Sequence, residues 1–180
     1  GGGPVRGNQT CALQILSAVT QSPEGQNFES NPADTDTLTP LMILQARPVA
    51  AWTGFLARAL HQSKVLHRTA KKSGGQLAII KTRGDLKSYL ARRKGGSKTT
   101  AALLSIEGLH CLEGEYGNLQ RLFDAGFRMM GLAHFIDNRV CGSAHGVDKG
   151  GLTPLGRRVV RRMEELGVIV DLAHASPRAV

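Results

Sequence analysis

The feature that most constrains the fold is a regular alternation of apolar strands and helices in residues 99–180. Such strand–helix–strand repeats are typical of parallel sheets. No strand alternates cleanly between polar and apolar residues, so we expect both faces of the sheet to be covered. This leaves a doubly wound α/β sheet or a (β/α)8 barrel. Strands are predicted at TTAALLSI (99–106), FRMMGLA (127–133) and 168–172, and helices at 119–125 and 153–166.

The boundaries of one helix are especially clear in this region. Thr153 suits the N-cap, Pro154 the first helical position, and Gly167 the residue just past the end. Ser176 and Pro177 repeat the same start signal, which predicts a further helix.

The first half of the chain is less regular. Here the sequence predicts a strand at 11–20, a long polar loop at 21–39, a short strand at 76–82 and a short basic helix at 85–93. Apolar residues at helical spacing between Trp52 and Leu60 predict a helix that ends near Lys64 or beyond.

The chain opens with three glycines rather than Met, and it stops about one turn into the helix predicted at Ser176. We therefore expect an internal fragment of a longer protein with poor solubility on its own, because unpaired strand edges invite aggregation. A targeting segment could precede it, so the compartment stays open.

The net charge is +9, from 23 Lys and Arg against 14 Asp and Glu. The basic runs at 67–72, 87–98 and 157–162 read as solvated helix faces. Aromatic residues make up only 4% of the chain, and no nucleic-acid-binding motif is present, so we do not expect a nucleic-acid partner. No apolar run approaches the roughly 20 residues of a membrane helix.

Three cysteines, Cys11, Cys111 and Cys141, read as free thiols in a reducing compartment, which favours the cytoplasm. A zinc knuckle from Cys111, Cys141, His110 and His145 has suitable residue types. Its spacing matches no usual ligand pattern, so we do not expect it.

Chemistry-bearing residues follow three consecutive strands, namely Glu107, His134 and His174. Alone, Glu107 could cap a turn and each histidine could be a satisfied core residue. Together they meet at the C-terminal face of a parallel sheet, where α/β proteins place their active sites. Glu and His suit a divalent metal such as zinc. Asp171 could orient such a group or could serve as a structural hydrogen-bond acceptor.

Four segments follow one another in order along the chain, namely SIEG (105–108), GFRMMGLAHFIDN (126–138), GGLTPLGRRVVRRMEELG (150–167) and VIVDLAHAS (168–176). Together they resemble the membrane dipeptidase (renal dipeptidase) family of zinc metallopeptidases. The CGSAHG loop (141–146) resembles the bacterial branch of this family, and a fifth segment, ALQILSAVTQSP (12–23), is similar to its second barrel strand.

The resemblance implies a fold and a function. It implies a partial (β/α)8 TIM barrel of the metal-dependent hydrolase type, with residues 1–180 forming one incomplete domain of roughly strands two to five. It implies hydrolysis of dipeptides, in some members with a D-residue at the C-terminal side. Glu107 matches the glutamate that bridges two zinc ions, and His174 matches a ligand of the second. His134 matches the histidine that binds substrate and helps to stabilise the tetrahedral intermediate.

The sequence also departs from the family pattern. The His-x-Asp pair that binds the first zinc occurs nowhere in it. The resemblance implies that a further histidine ligand, a substrate-binding arginine and the catalytic aspartate come from strands beyond residue 180. Two of five expected ligand positions are therefore present. A catalytically inactive scaffold or interaction protein is the alternative function. Separately, the protein could form a homodimer.

Overall fold

A computed structural model describes residues 13–180 of the chain. The strands are β1 (Leu13–Val19), β2 (Leu77–Ile79), β3 (Thr100–Glu107), β4 (Phe127–Gly131) and β5 (Ile169–Asp171). The helices are α1 (Leu38–Leu44), α2 (Ala50–Thr53), α3 (Phe55–Lys72), α4 (Arg83–Lys94), α5 (Asn118–Asp124) and α6 (Pro154–Leu166), and a 3₁₀ helix spans Leu109–Leu112.

The five strands form one parallel sheet in the order β1-β3-β4-β5. β1 occupies one edge of β3 from Ala101 to Glu107. The other edge of β3 is shared between two strands. β2 pairs with its start, and β4 pairs with it from Leu104 to Ile106, with a register shift between Leu104 and Ser105. The α/β class and the parallel sheet predicted from the sequence are confirmed.

The main hydrophobic core lies between this sheet and helices α3, α5 and α6. It includes Ile106 from β3, Ala59 from α3, Leu122 from α5 and Val159 from α6, all of them fully buried. Residues of a helix fall on one face at spacings of three and four, so each helix presents an apolar stripe to the sheet.

The prediction that both faces of every strand are covered is wrong for β1. Leu13 and Ile15 of this strand are 42% and 54% exposed. The reason is its position, because within the described residues β1 pairs with β3 alone and lies at the edge of the sheet. The central strand β3 is buried along most of its length.

Most helix boundaries follow the sequence signals. Thr153 caps α6 by accepting the amide of Gly156 at 2.9 Å, and Gly167 ends it at a φ of +67°. α4 begins earlier than predicted, because Thr82 and Asp85 form a capping box. The helix predicted around Trp52 is divided at Gly54, and its second part, α3, continues to Lys72.

The further helix predicted at Ser176 and Pro177 is not formed; a turn stands there instead. The amide of Ala179 bonds the carbonyl of Ser176 at 2.9 Å, and the hydroxyl of Ser176 donates to the carbonyl of Gly150 at 2.6 Å rather than capping a helix. A side chain that holds a neighbouring loop in this way is not available to the helix start.

Arg58 of α3 is a buried charge that ties the segment after β1 to the helices. Its side chain is fully buried and forms an ion pair with Asp36 at 2.6 Å. Its five hydrogen bonds go to the carbonyl oxygens of Thr20, Ala51 and Trp52, the carboxylate of Asp36 and the hydroxyl of Thr39. All nitrogens of the guanidinium therefore have partners, as a buried guanidinium requires.

Cys111 and Cys141 are free, as predicted, and both are buried, while Cys11 lies outside the described residues. Burial raises the pKa of the Cys141 thiol to about 12, so this thiol is protonated near neutral pH. None of the helices within residues 13–180 is long and apolar enough to cross a lipid bilayer.

Candidate metal centre

Glu107 is the last residue of β3, at the C-terminal end of the central strand. It pairs in register with Val19, the last residue of β1, so the two strands end at the same level. The next residue, Gly108, turns the chain sharply with a φ of +81°. This conformation suits glycine and leaves the carboxylate at the rim of the sheet.

His134 follows β4 on the neighbouring position of the same rim. Its side chain is only 9% exposed. The hydroxyl of Ser143, from the loop that comes after, donates a short hydrogen bond to the carbonyl oxygen of His134. The loop therefore holds the backbone of this residue.

His174 stands at the end of a tight turn after β5. The carboxylate of Asp171 accepts the amide of Ala173 at 2.9 Å, which shapes the turn, and the amide of Ala144 bonds the His174 carbonyl at 2.8 Å. His174 adopts a φ of +66°, which is unusual outside glycine. Of the two roles considered for Asp171, the structure shows the hydrogen-bond acceptor.

These three side chains converge. Glu107, His134 and His174 each offer one donor atom, and the three atoms lie within 4.8 Å of one another. Nε2 of His134 is 3.6 Å from a carboxylate oxygen of Glu107, and the rings of His134 and His174 stand edge to face with centroids 5.0 Å apart. One carboxylate and two imidazoles form a donor set suited to a divalent metal.

The hydrogen bonding of the two histidines fits a metal site. Nδ1 of His134 and Nδ1 of His174 are buried and have no hydrogen-bond partner. Burial lowers the pKa of His134, and His174 acts in the same direction, while the carboxylate of Glu107 opposes them. His134 is therefore neutral near pH 7, and a neutral imidazole is the form that binds metals.

A compact loop over residues 137–148 closes one side of the cluster. Its backbone is organised by Asp137, whose two carboxylate oxygens accept the amides of Ser143 at 2.7 Å and Asp148 at 2.8 Å. Asn138 adds a second set of bonds, accepting the amide of Val140 at 2.7 Å and donating to the carbonyl of Leu132 at 2.8 Å.

A further group of rings, which sequence reasoning missed, lies beside the site, and this loop contributes one of them, His145. The ring of His145 lies 5.2 Å from that of His174 and stacks on that of Phe135 at 4.9 Å. Phe28, from the segment after β1, lies 5.4 Å from His145 and 5.6 Å from Phe135. The only sequence signal was the histidine in the CGSAHG loop.

His110 lies close to the site but has a different character. It is buried in the 3₁₀ helix, and neither ring nitrogen has a hydrogen-bond partner. Burial, with a smaller contribution from His134, lowers its pKa to about 4. A Cβ atom on Gly108 would lie 2.6 Å from Nε2 of His110 and 3.0 Å from Cβ of His134, so the space between them is filled by the backbone alone.

The zinc knuckle weighed from residue types does not form a group. Among residues 13–180, the one cluster of His, Cys, Asp and Glu able to hold a metal is that of Glu107, His134 and His174. Cys111 instead points its thiol at the carbonyl of Gly108, 4.0 Å away.

Comparison with known protein families identifies the family to which this chain belongs. The family model described as membrane dipeptidase, peptidase family M19, matches residues 29–180, which include all three clustered residues. This chain belongs to the membrane dipeptidase family. Its members are metallopeptidases, which agrees with a donor set able to bind a metal.

Two curated relatives are similar to parts of the chain. One is an uncharacterized dipeptidase of Schizosaccharomyces pombe, 40% identical over 84 residues that make up 44% of this chain and 20% of the relative. Another is the dipeptidase verJ of Clonostachys rogersoniana, 28% identical over 123 residues, 67% of this chain and 30% of the relative. The chain thus spans less than a third of either curated relative.

Solved structures show the same fold. The dipeptidase AC, a metallopeptidase of family M19, superposes with a TM-score of 0.70 at 16% identity, covering 93% of this chain and 47% of that one. The probable dipeptidase PvdM of Pseudomonas aeruginosa gives a TM-score of 0.59 at 25% identity over 70% of this chain and 33% of its own. The sheet therefore corresponds to part of an M19 dipeptidase fold.

Proposed function

We propose that the parent protein of this chain acts as a zinc-dependent dipeptidase that hydrolyses the peptide bond of dipeptides with an activated water, and that the chain alone is incomplete. The observation that carries the proposal is the convergence of Glu107, His134 and His174, whose donor atoms lie within 4.8 Å in a chain of the membrane dipeptidase family. We propose as well that residues 1–180 form one incomplete barrel domain of that protein.

Glu107 and His174 are the proposed metal-holding residues. A glutamate has two oxygens and can contact two ions, so Glu107 is suited to bridge a pair of zincs. The buried Nδ1 atom of His174 lacks a hydrogen-bond partner, and a bound metal ion would satisfy it. When bound, zinc would act as a Lewis acid that makes a water nucleophilic near neutral pH.

His134 is the proposed substrate-binding and catalytic residue. Its burial lowers its pKa, so that it carries one N–H as a neutral ring near pH 7. Such a donor, held rigidly beside the cluster, suits the negative charge that develops on a peptide carbonyl oxygen during attack. The hydrogen bond from the Ser143 hydroxyl to the His134 carbonyl oxygen keeps His134 in place before substrate arrives.

A dipeptide substrate is supported by the names of the relatives. A metallopeptidase of Rhodobacter sphaeroides, similar in fold with a TM-score of 0.56 at 20% identity over 69% of this chain and 36% of that one, was solved with a phosphinate mimic of the dipeptide L-Ala-D-Ala. A phosphinate is tetrahedral, like carbon during hydrolysis. Transition-state mimics bind where the reacting atoms are stabilised.

The test is zinc-dependent hydrolysis of simple dipeptides by the full-length parent protein. We expect activity with zinc, none after chelation, and recovery when zinc returns. Glu107→Gln should remove most activity and weaken zinc binding, and His134→Ala should lower kcat by roughly a hundredfold or more with zinc still bound. Glu165→Gln, in an exposed ion pair with Arg162, is the control. Full activity of the Glu107→Gln variant would overturn the assignment, and a folded protein that binds zinc but cleaves no dipeptide would support an inactive scaffold.

A further inference from the structure

Phe28 is an exposed aromatic residue beside the metal cluster, and folding does not explain its position. It is 75% exposed. Leaving a phenylalanine largely in water forfeits most of the free energy that its burial would contribute. An aromatic residue held in such a position is typical of a contact surface for a ligand.

The backbone around Phe28 is fixed by hydrogen bonds. The side chain of Asn27 accepts the amides of Glu29 and Ser30, both at 2.8 Å. Asn31, which is buried, accepts the amide of Asn27 at 2.9 Å and donates to its carbonyl at 2.7 Å. Phe28 therefore projects from a closed turn and not from a free strand of backbone.

This turn is joined to the loop beside the metal cluster. The amide and the side chain of Asn31 both donate to the carbonyl of His145, at 2.9 and 2.8 Å. Nδ1 of His145 lies 2.9 Å from the carbonyl of Phe28. The same histidine ring is the one 5.2 Å from His174, so a single residue links Phe28 to a proposed metal ligand.

The surface that results is made of rings. Phe28 contacts Phe135 and His145, and Phe135 contacts both His134 at 4.9 Å and His174 at 5.1 Å. Phe135 is only 8% exposed, so Phe28 is the member of the group that most faces solvent. If the peptide bond of a dipeptide lies at the cluster, one of the two side chains of the dipeptide can extend as far as this surface of rings.

We propose that Phe28 is a specificity residue that contacts one side chain of the substrate and favours dipeptides with an aromatic or bulky apolar residue. This inference rests on the proposed dipeptidase function and adds the substrate class to it. Rings prefer edge-to-face or offset contacts with other rings, and a small side chain such as that of alanine cannot make them. Because the surface of rings is already rigid, it loses little conformational entropy when the contact with the substrate forms.

The test uses phosphinate dipeptide analogues, with affinity as the readout in place of turnover. The zinc-loaded protein is titrated calorimetrically with Ala-Ala, Phe-Ala and Ala-Phe analogues. We expect one of the two phenylalanine analogues to bind about tenfold more tightly than Ala-Ala. In Phe28→Ala this preference should fall to about twofold or less, while the affinity for Ala-Ala changes little.

The control is Glu29→Ala, an exposed neighbour on the same turn that takes no part in the ring contacts. It should keep the full preference, and thermal melting should show that both variants fold. Equal binding of all analogues by the unaltered protein, or a preference that survives Phe28→Ala, would overturn the inference while leaving the dipeptidase proposal intact. Failure to bind even Ala-Ala would instead overturn the dipeptidase proposal, and this inference with it.

Discussion

Nε2 of His134 lies 3.6 Å from a carboxylate oxygen of Glu107, although Glu107 ends one strand of the sheet and His134 comes after another. The contact exists because β3 and β4 are parallel neighbours and bring their C-terminal ends to one rim. His174, after β5, joins them from the next strand. The position of the candidate centre is thus a consequence of strand order, before any loop is considered.

Gly108 leaves no room for a side chain between the two histidines beside it. We expect Gly108→Ala to lower the free energy of unfolding by about 1–3 kcal/mol, since a Cβ there combines a φ of +81° with contacts to His110 and to Cβ of His134. The displaced His134 should also lower kcat for dipeptide hydrolysis by roughly tenfold, with zinc still bound. Urea unfolding and steady-state kinetics measure the two effects.

Gly74→Ala separates backbone strain from crowding. Gly74 has a φ of +59°, but a Cβ there meets nothing within 4 Å. This control should lose only about 1 kcal/mol of stability and keep its kcat. If both alanine variants hydrolyse dipeptides with the kcat of the unaltered protein, Gly108 does not position His134.

Arg58 should be among the most costly residues to replace. Arg58→Met is expected to lower the free energy of unfolding by about 3–5 kcal/mol, because it leaves Asp36 and three buried carbonyls without their donor. Arg68→Met, on the exposed side of the same helix, should change it by less than about 0.5 kcal/mol. Similar urea midpoints for the two variants would refute this role.

Because His110 is buried, the free energy of unfolding should depend on pH. Burial, with His134, lowers its pKa from 6.5 to about 4 in the folded protein, so the unfolded chain takes up a proton that the folded one does not. Stability should be complete above about pH 6.5 and fall as the pH drops toward 4, with a loss of about 2 kcal/mol at pH 5. Urea unfolding of the metal-free protein across this range measures it.

His110→Gln removes the titrating group but keeps a polar side chain of similar size. The variant should lose less stability than the unaltered protein between about pH 7 and pH 5, by roughly the same 2 kcal/mol. An acid-induced loss as large as that of the unaltered protein would show that other groups are responsible.

The strands and the three clustered residues were predictable because each signal is local. Apolar runs mark the strands, and Glu107, His134 and His174 each follow one of them. The caps of α6 were predictable for the same reason, since Thr153 and Gly167 act on residues next to them.

The parts that sequence reasoning missed depend on contacts between distant segments. Arg58 lies in an amphipathic helix, where an arginine is usually solvated, and its partners come from three other segments of the chain. Phe28 and His145 meet only because Asn31 joins two irregular loops, and loops have no periodicity to predict from. The exposure of β1 follows from sheet order, which a single strand does not encode.

A zinc titration of the protein and two variants tests the central claim most directly. If Glu107 and His174 hold metal at the rim of the sheet, the unaltered protein binds zinc, Glu107→Gln and His174→Ala each bind at least about tenfold more weakly, and Glu165→Gln binds normally. Zinc affinity unchanged in both Glu107→Gln and His174→Ala, with all proteins folded, would contradict the account.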